Sequence, residues 1–205
     1  MQPYQPAEDS YLMSETLKEY LINLINKYNP DKKNQKNQEK SNLKNFNIND
    51  IMEIKILDMG SGSGIQAETC RELGLKNLIT ADINPAAVKL LKSKGFKSIK
   101  TDLFSNINKK SKFNIILFNP PYLPENEHDK EKDTTSGKKG YELIIDFLEQ
   151  AKSYLQKDGK ILLLFSSLSK PAIIKKQAKI LGYNSKLLSK KHLFFEELFV
   201  YEFSL

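Results

Sequence analysis

The chain has 205 residues, 40% of them hydrophobic and 28% charged, with a formal net charge of +7. That is the composition of a globular protein long enough to bury a core unaided. One cysteine, Cys70, and two histidines, His128 and His192, exclude a disulfide scaffold and an ordinary zinc site.

Residues 8–28 place Met13, Leu17, Leu21, Leu24, Ile25 and Tyr28 at the spacing of an amphipathic helix, with Asp9 or Ser10 expected to cap its start. Residues 29–50 lose all periodicity and are expected to be a low-complexity linker or loop. Beyond them strands alternate with helices. Lys55–Met59 reads as a strand, Ile65–Leu73 as a helix closed by Gly74, and Leu78–Ile83 as a second strand. Asn84 and Pro85 open the next helix, which Gly95 ends. Strands follow at Phe96–Thr101 and Phe113–Phe118, then the helix Tyr141–Leu155, the strand Lys160–Phe165 and the helix Pro171–Leu181. Tyr183–Leu188 and Glu197–Phe203 are expected to pair antiparallel. Such alternation predicts an α/β fold with a mostly parallel sheet, its ligand beyond the carboxyl ends of the strands. No apolar run approaches 18 residues and no signal-peptide pattern opens the chain, so a cytoplasmic protein without a membrane span is expected.

The charge is a weaker guide than it looks. Of the 32 basic residues only Arg71 is arginine, whereas readers of bases and phosphates favour its bidentate fork. Nine lysines and a single acid, Asp158, fall between Lys157 and Lys191, away from every motif below.

Those motifs sit at strand ends. Asp58-Met59-Gly60-Ser61-Gly62-Ser63-Gly64 has glycines at alternate positions, but Ile65 stands where a dinucleotide fingerprint needs its third glycine. A carboxylate at Asp58 repels phosphate and suits a cationic amine. Asp82 ends the second strand, where a carboxylate accepts ribose hydroxyls. Asp102 and Leu103 end the third, suited to the amino group and flat face of an adenine. The fourth ends in Asn119-Pro120-Pro121-Tyr122. There Asn119 and the Pro120 carbonyl make a rigid rim of acceptors and Tyr122 offers a ring, a set that fits a planar NH₂ group. The polar loop Pro124–Lys139 is long enough to close over or read a substrate; His128 within it reads as a solvated side chain.

Together these motifs resemble the class I S-adenosylmethionine-dependent methyltransferases that act on amino groups. Tyr4-Gln5-Pro6-Ala7-Glu8-Asp9-Ser10 resembles the N-terminal signature of the HemK-like glutamine methyltransferases, closest to the archaeal and eukaryotic branch that modifies a peptide-chain release factor. Ser136-Gly137-Lys138-Lys139-Gly140 and Glu196-Glu197-Leu198 extend the likeness. It implies a Rossmann-like fold with a seven-stranded sheet, an antiparallel C-terminal pair and an N-terminal helix. It also implies one methyltransferase domain over residues 1–205, with a catalytic core over 51–205. The implied cofactor contacts are Ser10, Asp58, Gly60, Gly62, Asp82, Asp102, Leu103 and Asn119. The implied catalytic residues are Asn119, Pro120 and Tyr122, and no metal is implied in this chain. The implied reaction is methyl transfer to a glutamine side-chain amide of a release factor, an RNA-associated substrate. Relatives pair with a small zinc-binding activator, so a heterodimer is expected on the edge strand carrying Phe96 and Ile99. The same acceptor motif serves adenine-N6 methyltransferases of DNA or RNA, the main alternative. A protein lysine methyltransferase and a nucleic-acid-binding module with a vestigial core are the others.

Overall fold

The structure, a computed structural model, describes residues 4–28, 53–121 and 140–205. The expected linker 29–50, the loop 124–139, Tyr122 and His128 lie outside them. Twelve main elements follow one another: α1 (Glu8–Tyr28), β1 (Ile56–Met59), α2 (Ile65–Glu72), β2 (Leu78–Asp82), α3 (Pro85–Ser93), β3 (Lys97–Lys100), β4 (Phe113–Phe118), α4 (Glu142–Ala151), β5 (Leu155–Ser166), α5 (Pro171–Ile180), β6 (Asn184–His192) and β7 (Glu197–Ser204).

The strands form one seven-stranded sheet in the order β3-β2-β1-β4-β5-β7-β6. The first five run parallel; β7 pairs antiparallel with both β5 and β6. This is the expected Rossmann-like architecture. Strand order reverses between β1 and β4, which opens a crevice there at the carboxyl ends of the strands.

Side-chain alternation explains the two-sided burial. In β4, Ile116 and Phe118 face one layer while Ile115 and Leu117 face the other; in β5, Ile161, Leu163 and Phe165 oppose Leu162 and Leu164 in the same way. The first layer packs on Ile144, Phe147 and Leu148 of α4 and Ile174 and Ala178 of α5. The second packs on α1 through Met13, Leu17 and Leu21, four residues apart on one helix face, with Leu12 beside them. Phe147 stacks within 4.2 Å of Phe118 and 5.6 Å of Phe104, and Phe104 within 4.5 Å of Tyr154. That aromatic column stands beneath the end of β4 and fixes where Asn119 leaves the sheet.

Several expected boundaries shift for physical reasons. Asp9 and Ser10 do not cap α1: the helix already begins at Glu8, and both side chains are buried in its first turn. The helix expected to reach Leu155 ends at Ala151 and tightens into a 3₁₀ turn over Lys152–Tyr154. The strand expected from Lys160 begins at Leu155, because Phe113 pairs with Leu155 before a bulge resets the register to Ile115 against Lys160. β3 is the edge strand, as expected. Its preceding residue, Phe96, is half-buried under the Arg71 guanidinium, 4.4 Å from the ring centroid.

Candidate active site

The loop after β1 is fastened at several points. Ser61 Oγ donates to the Asp58 carbonyl at 2.6 Å and accepts from the Ala81 N–H at 3.1 Å. Gly60, Gly62 and Gly64 all have positive φ, the left-handed region open to glycine. At Gly64 a Cβ would also stand 2.5 Å from Leu91 Cδ2, so α3 packs where only hydrogen fits.

The Asp82 carboxylate closes the loop against β2. Its Oδ2 accepts the Gly62 N–H at 2.8 Å and its Oδ1 the Asn84 N–H at 2.7 Å. A carboxylate therefore occupies the amide donor that a phosphate-binding loop would offer to pyrophosphate. At the end of β3, Leu103 adopts φ +43, held by Thr101 Oγ1, which donates to the Leu103 carbonyl at 2.8 Å. Asp102 is thereby left exposed at the cavity.

At the end of β4, Asn119 Nδ2 donates to Asp9 Oδ2 at 2.9 Å. The other carboxylate oxygen, Asp9 Oδ1, accepts from Tyr4 Oη at 3.3 Å and Ser10 Oγ at 3.4 Å. Because the amide nitrogen is committed to a carboxylate, Asn119 Oδ1 faces away from Asp9, and it is buried without a partner among the described residues. An unpaired buried acceptor is costly unless a donor arrives. Burial, then the neighbouring Asp9, pushes the Tyr4 phenol up to about 12. Gln66 Nε2 donates to the Ser10 carbonyl at 3.2 Å and ties the start of α1 to α2.

These groups line one cavity of about 340 Å³, within the roughly 300–1,000 Å³ of small-molecule sites. It brings together Ser10, Gly60, Gly62, Asp82, Asp102, Leu103, Asn119 and Pro120 from the expected set. Asp58 is not among its lining residues. It lies beneath the loop, 2% exposed, with Oδ2 unpartnered among the described residues, and burial raises its carboxyl to about 7, opposed by the nearby Ser61 hydroxyl and aided by the Asp82 charge. Sequence reasoning passed over Tyr4, Asp9, Gln66 and Ile83 as site residues. The first two stood inside the N-terminal signature, and Ile83, 62% exposed, lines the cavity beside Leu103 and Ala87. Three carboxylates and no lysine or arginine occur among the described lining residues. No cluster of metal-ligating side chains occurs among the described residues.

Residues 41–182 match the methyltransferase small domain family. The chain belongs to that family. The expectation of an S-adenosylmethionine-dependent methyltransferase holds with it. A protein of Methanocaldococcus jannaschii, provisionally named a protein N5-glutamine methyltransferase, is 34% identical over 96% of this methyltransferase and 89% of its own length. The release factor glutamine methyltransferase of Aquifex aeolicus is 35% identical over 52% of this chain and 44% of its own. Among solved structures, the E. cuniculi Mtq2-Trm112 complex, described as responsible for methylating the termination factor eRF1, shares the fold. The TM-score is 0.70 at 22% identity, over 99% of this chain and 98% of that one. No described helix of this methyltransferase is long and apolar enough to cross a membrane.

Proposed function

We propose that this enzyme methylates the side-chain amide nitrogen of a glutamine in a protein substrate, a peptide-chain release factor. The observation that carries the reading is Asn119 Oδ1, a buried acceptor with no partner among the described residues, whose direction is set by the Asp9 carboxylate behind it. A primary amide supplies the flat N–H₂ such an acceptor needs. The names of the M. jannaschii and A. aeolicus relatives support it.

The lining residues fit S-adenosylmethionine. Asp82 would accept ribose hydroxyls, and Asp102 an adenine amino group. Ile83, Ala87 and Leu103 offer apolar contact to the ring, and the charged side chains among the described lining residues are all carboxylates, which suits a cation. Gly60, Gly62 and Ser10 would complete its cradle. Asp58, below the loop, would act on the bound cation through its charge. When bound, the cofactor supplies an electrophilic methyl group on a sulfonium.

An amide nitrogen is a weak nucleophile because its lone pair is delocalised into the carbonyl. Asn119 Oδ1 and the Pro120 carbonyl accept its two N–H bonds and turn the nitrogen's remaining face toward the methyl group. Orientation of this kind supplies up to roughly 7–11 kcal/mol in well-aligned cases. With the cofactor bound, sulfur would keep the electron pair of the S–CH₃ bond as the methyl group passes to the amide nitrogen held by Asn119 and Pro120. The cationic nitrogen then loses its proton to water, so no side-chain base is required.

The partner expectation belongs to the same reading. The exposed edge at β3 is the place for a small zinc-binding activator, giving a heterodimer, and the E. cuniculi protein was solved with Trm112. An RNA-associated substrate would meet the lysines of residues 157–191. The test measures labelled-methyl transfer to release factor, to its glutamine-to-alanine variant, and to DNA and RNA, with and without the co-expressed small subunit. Label on the factor that disappears in the alanine variant is the expected result. Label on nucleic acid alone overturns it.

A further inference from the structure

Between β6 and β7 the chain turns through Leu193, Phe194, Phe195 and Glu196, closed by the Leu193 N–H donating to the Glu196 carbonyl at 2.8 Å. Phe194 is 91% and Phe195 86% exposed, and their rings meet edge to face at 4.6 Å. The residues on either side behave differently: Leu193 packs on the α1 layer and Leu198 is fully buried in it. The two rings therefore give nothing to the core. Exposed paired aromatics of this kind mark recognition surfaces.

Their position connects them with the chemistry. Leu198 of β7 lies opposite Ser166, the last residue of β5, while Phe118 of β4 lies opposite Leu163. The turn therefore projects beyond the carboxyl ends of the parallel strands, the end that carries Asn119. Ser166 stands three residues past that level, about 10 Å at the rise of a strand. The turn is also fastened to the site wall. Lys191 pairs with Glu8, next to Asp9, and the Glu197 N–H donates to Ser167 Oγ at 3.0 Å. Glu196 lies close enough to Tyr4 for its charge to help raise that phenol's pKa.

We propose that Phe194 and Phe195 dock the protein substrate, seating in an apolar depression beside the loop that presents the acceptor glutamine. This rests on the proposed glutamine methylation. The cavity reads a single side-chain amide, so discrimination among proteins must come from surface beyond it. The chemistry of the rim favours a protein over a polyanion. Lys190 lies 3.7 Å from Glu197 and Lys191 is paired with Glu8, so the lysines nearest the rings in sequence are matched by carboxylates. Two apolar rings on a charge-compensated turn suit an apolar protein surface, not a phosphate backbone or an anionic membrane.

The test compares F194S/F195S with the unaltered enzyme on intact release factor and on a short peptide cut from its glutamine loop. Docking by the rings raises KM for the intact factor at least tenfold. It leaves KM for the peptide, cofactor affinity and the melting temperature unchanged, and F194Y/F195Y restores the factor's KM. An unchanged KM for the intact factor overturns the docking role, as does an equal loss on factor and peptide. If the unaltered enzyme methylates neither, the glutamine reading itself fails, a result distinct from both.

Discussion

Replacing Asp9 by asparagine tests the orientation of Asn119 with almost no change in volume. The carboxylate now accepts the Asn119 amide N–H on one oxygen and two hydroxyls, Tyr4 Oη and Ser10 Oγ, on the other. In D9N those hydroxyls hold the new carbonyl oxygen and turn the new NH₂ toward Asn119 Nδ2, donor against donor. Asn119 relieves the clash by flipping, which presents NH₂ where, in the proposed reaction, the substrate's own N–H binds. Restoring the productive orientation forfeits a charge-assisted hydrogen bond, worth about 1.5–3 kcal/mol. At about 1.4 kcal/mol per decade that is a fall of about 10- to 100-fold in kcat. Cofactor affinity, measured by titration calorimetry, should change less than about threefold. The exchange D9N/N119D places a donor at 9 and a carboxylate at 119, and should recover part of the lost kcat. A D9N enzyme with kcat within threefold of the original, or one whose loss lies wholly in cofactor affinity, refutes the reasoning.

The buried Asp58 gives a stability signature. Its folded pKa is raised to about 7 from an ordinary 3.8, so its contribution is fully present below about pH 4 and is lost as pH rises through 7. D58N should therefore leave the melting temperature unchanged at pH 4 and raise unfolding stability by about 2–4 kcal/mol at pH 8; parallel curves for the two proteins across that range contradict it. G64A should cost about 2–3 kcal/mol through its φ of +88 and the clash with Leu91, whereas G95A, at φ +83 with nothing within 4 Å, should cost about 1 in chemical denaturation; equal losses remove the packing argument. D82N keeps one acceptor for two backbone N–H groups, and should weaken S-adenosylmethionine binding about 10- to 100-fold by calorimetry; an unaltered affinity argues against its ribose role.

What could be read from the sequence follows from how local each signal is. Alternating apolar strands, Asn84 with Pro85, and the glycines after β1 each act within a few residues, and they located every strand and the ends that line the cavity. Asn84 accepts the Ala86 N–H at 2.9 Å, just as that pairing implies. The start of β5 was not legible because Leu155–Gly159 is polar at Gln156, Lys157 and Asp158 and joins the strand only through the pairing of Phe113 with Leu155. Asp9 shows the deeper limit. An acid at a helix start has an adequate local explanation as a cap, and its actual partner lies 110 residues away. Only the fold, by setting α1 across the end of β4, reveals that it orients Asn119.

The same contrast between local and summed properties disposes of the +7 charge as a guide to the site. Lysines outnumber acids over the chain, yet the cavity carries Asp9, Asp82 and Asp102 with Asp58 just beneath. Field inside a partly closed cleft is set by the charges on its own walls, since those beyond about 10 Å are screened at ordinary salt. A cation entering it meets several carboxylates at short range, whereas a phosphate meets the same carboxylates with the Gly62 N–H already taken by Asp82. The cavity should therefore favour a cation over an anion of similar shape. Raising ionic strength should weaken binding of cationic S-adenosylmethionine more than that of neutral-sulfur S-adenosylhomocysteine. A single unit charge near exposed carboxylates should make the difference about two- to fivefold in calorimetric titrations of both ligands between about 0.05 and 0.5 M salt. Equal salt slopes for the two ligands would mean that the carboxylates act only as hydrogen-bond acceptors and that their charge is not felt at the sulfur.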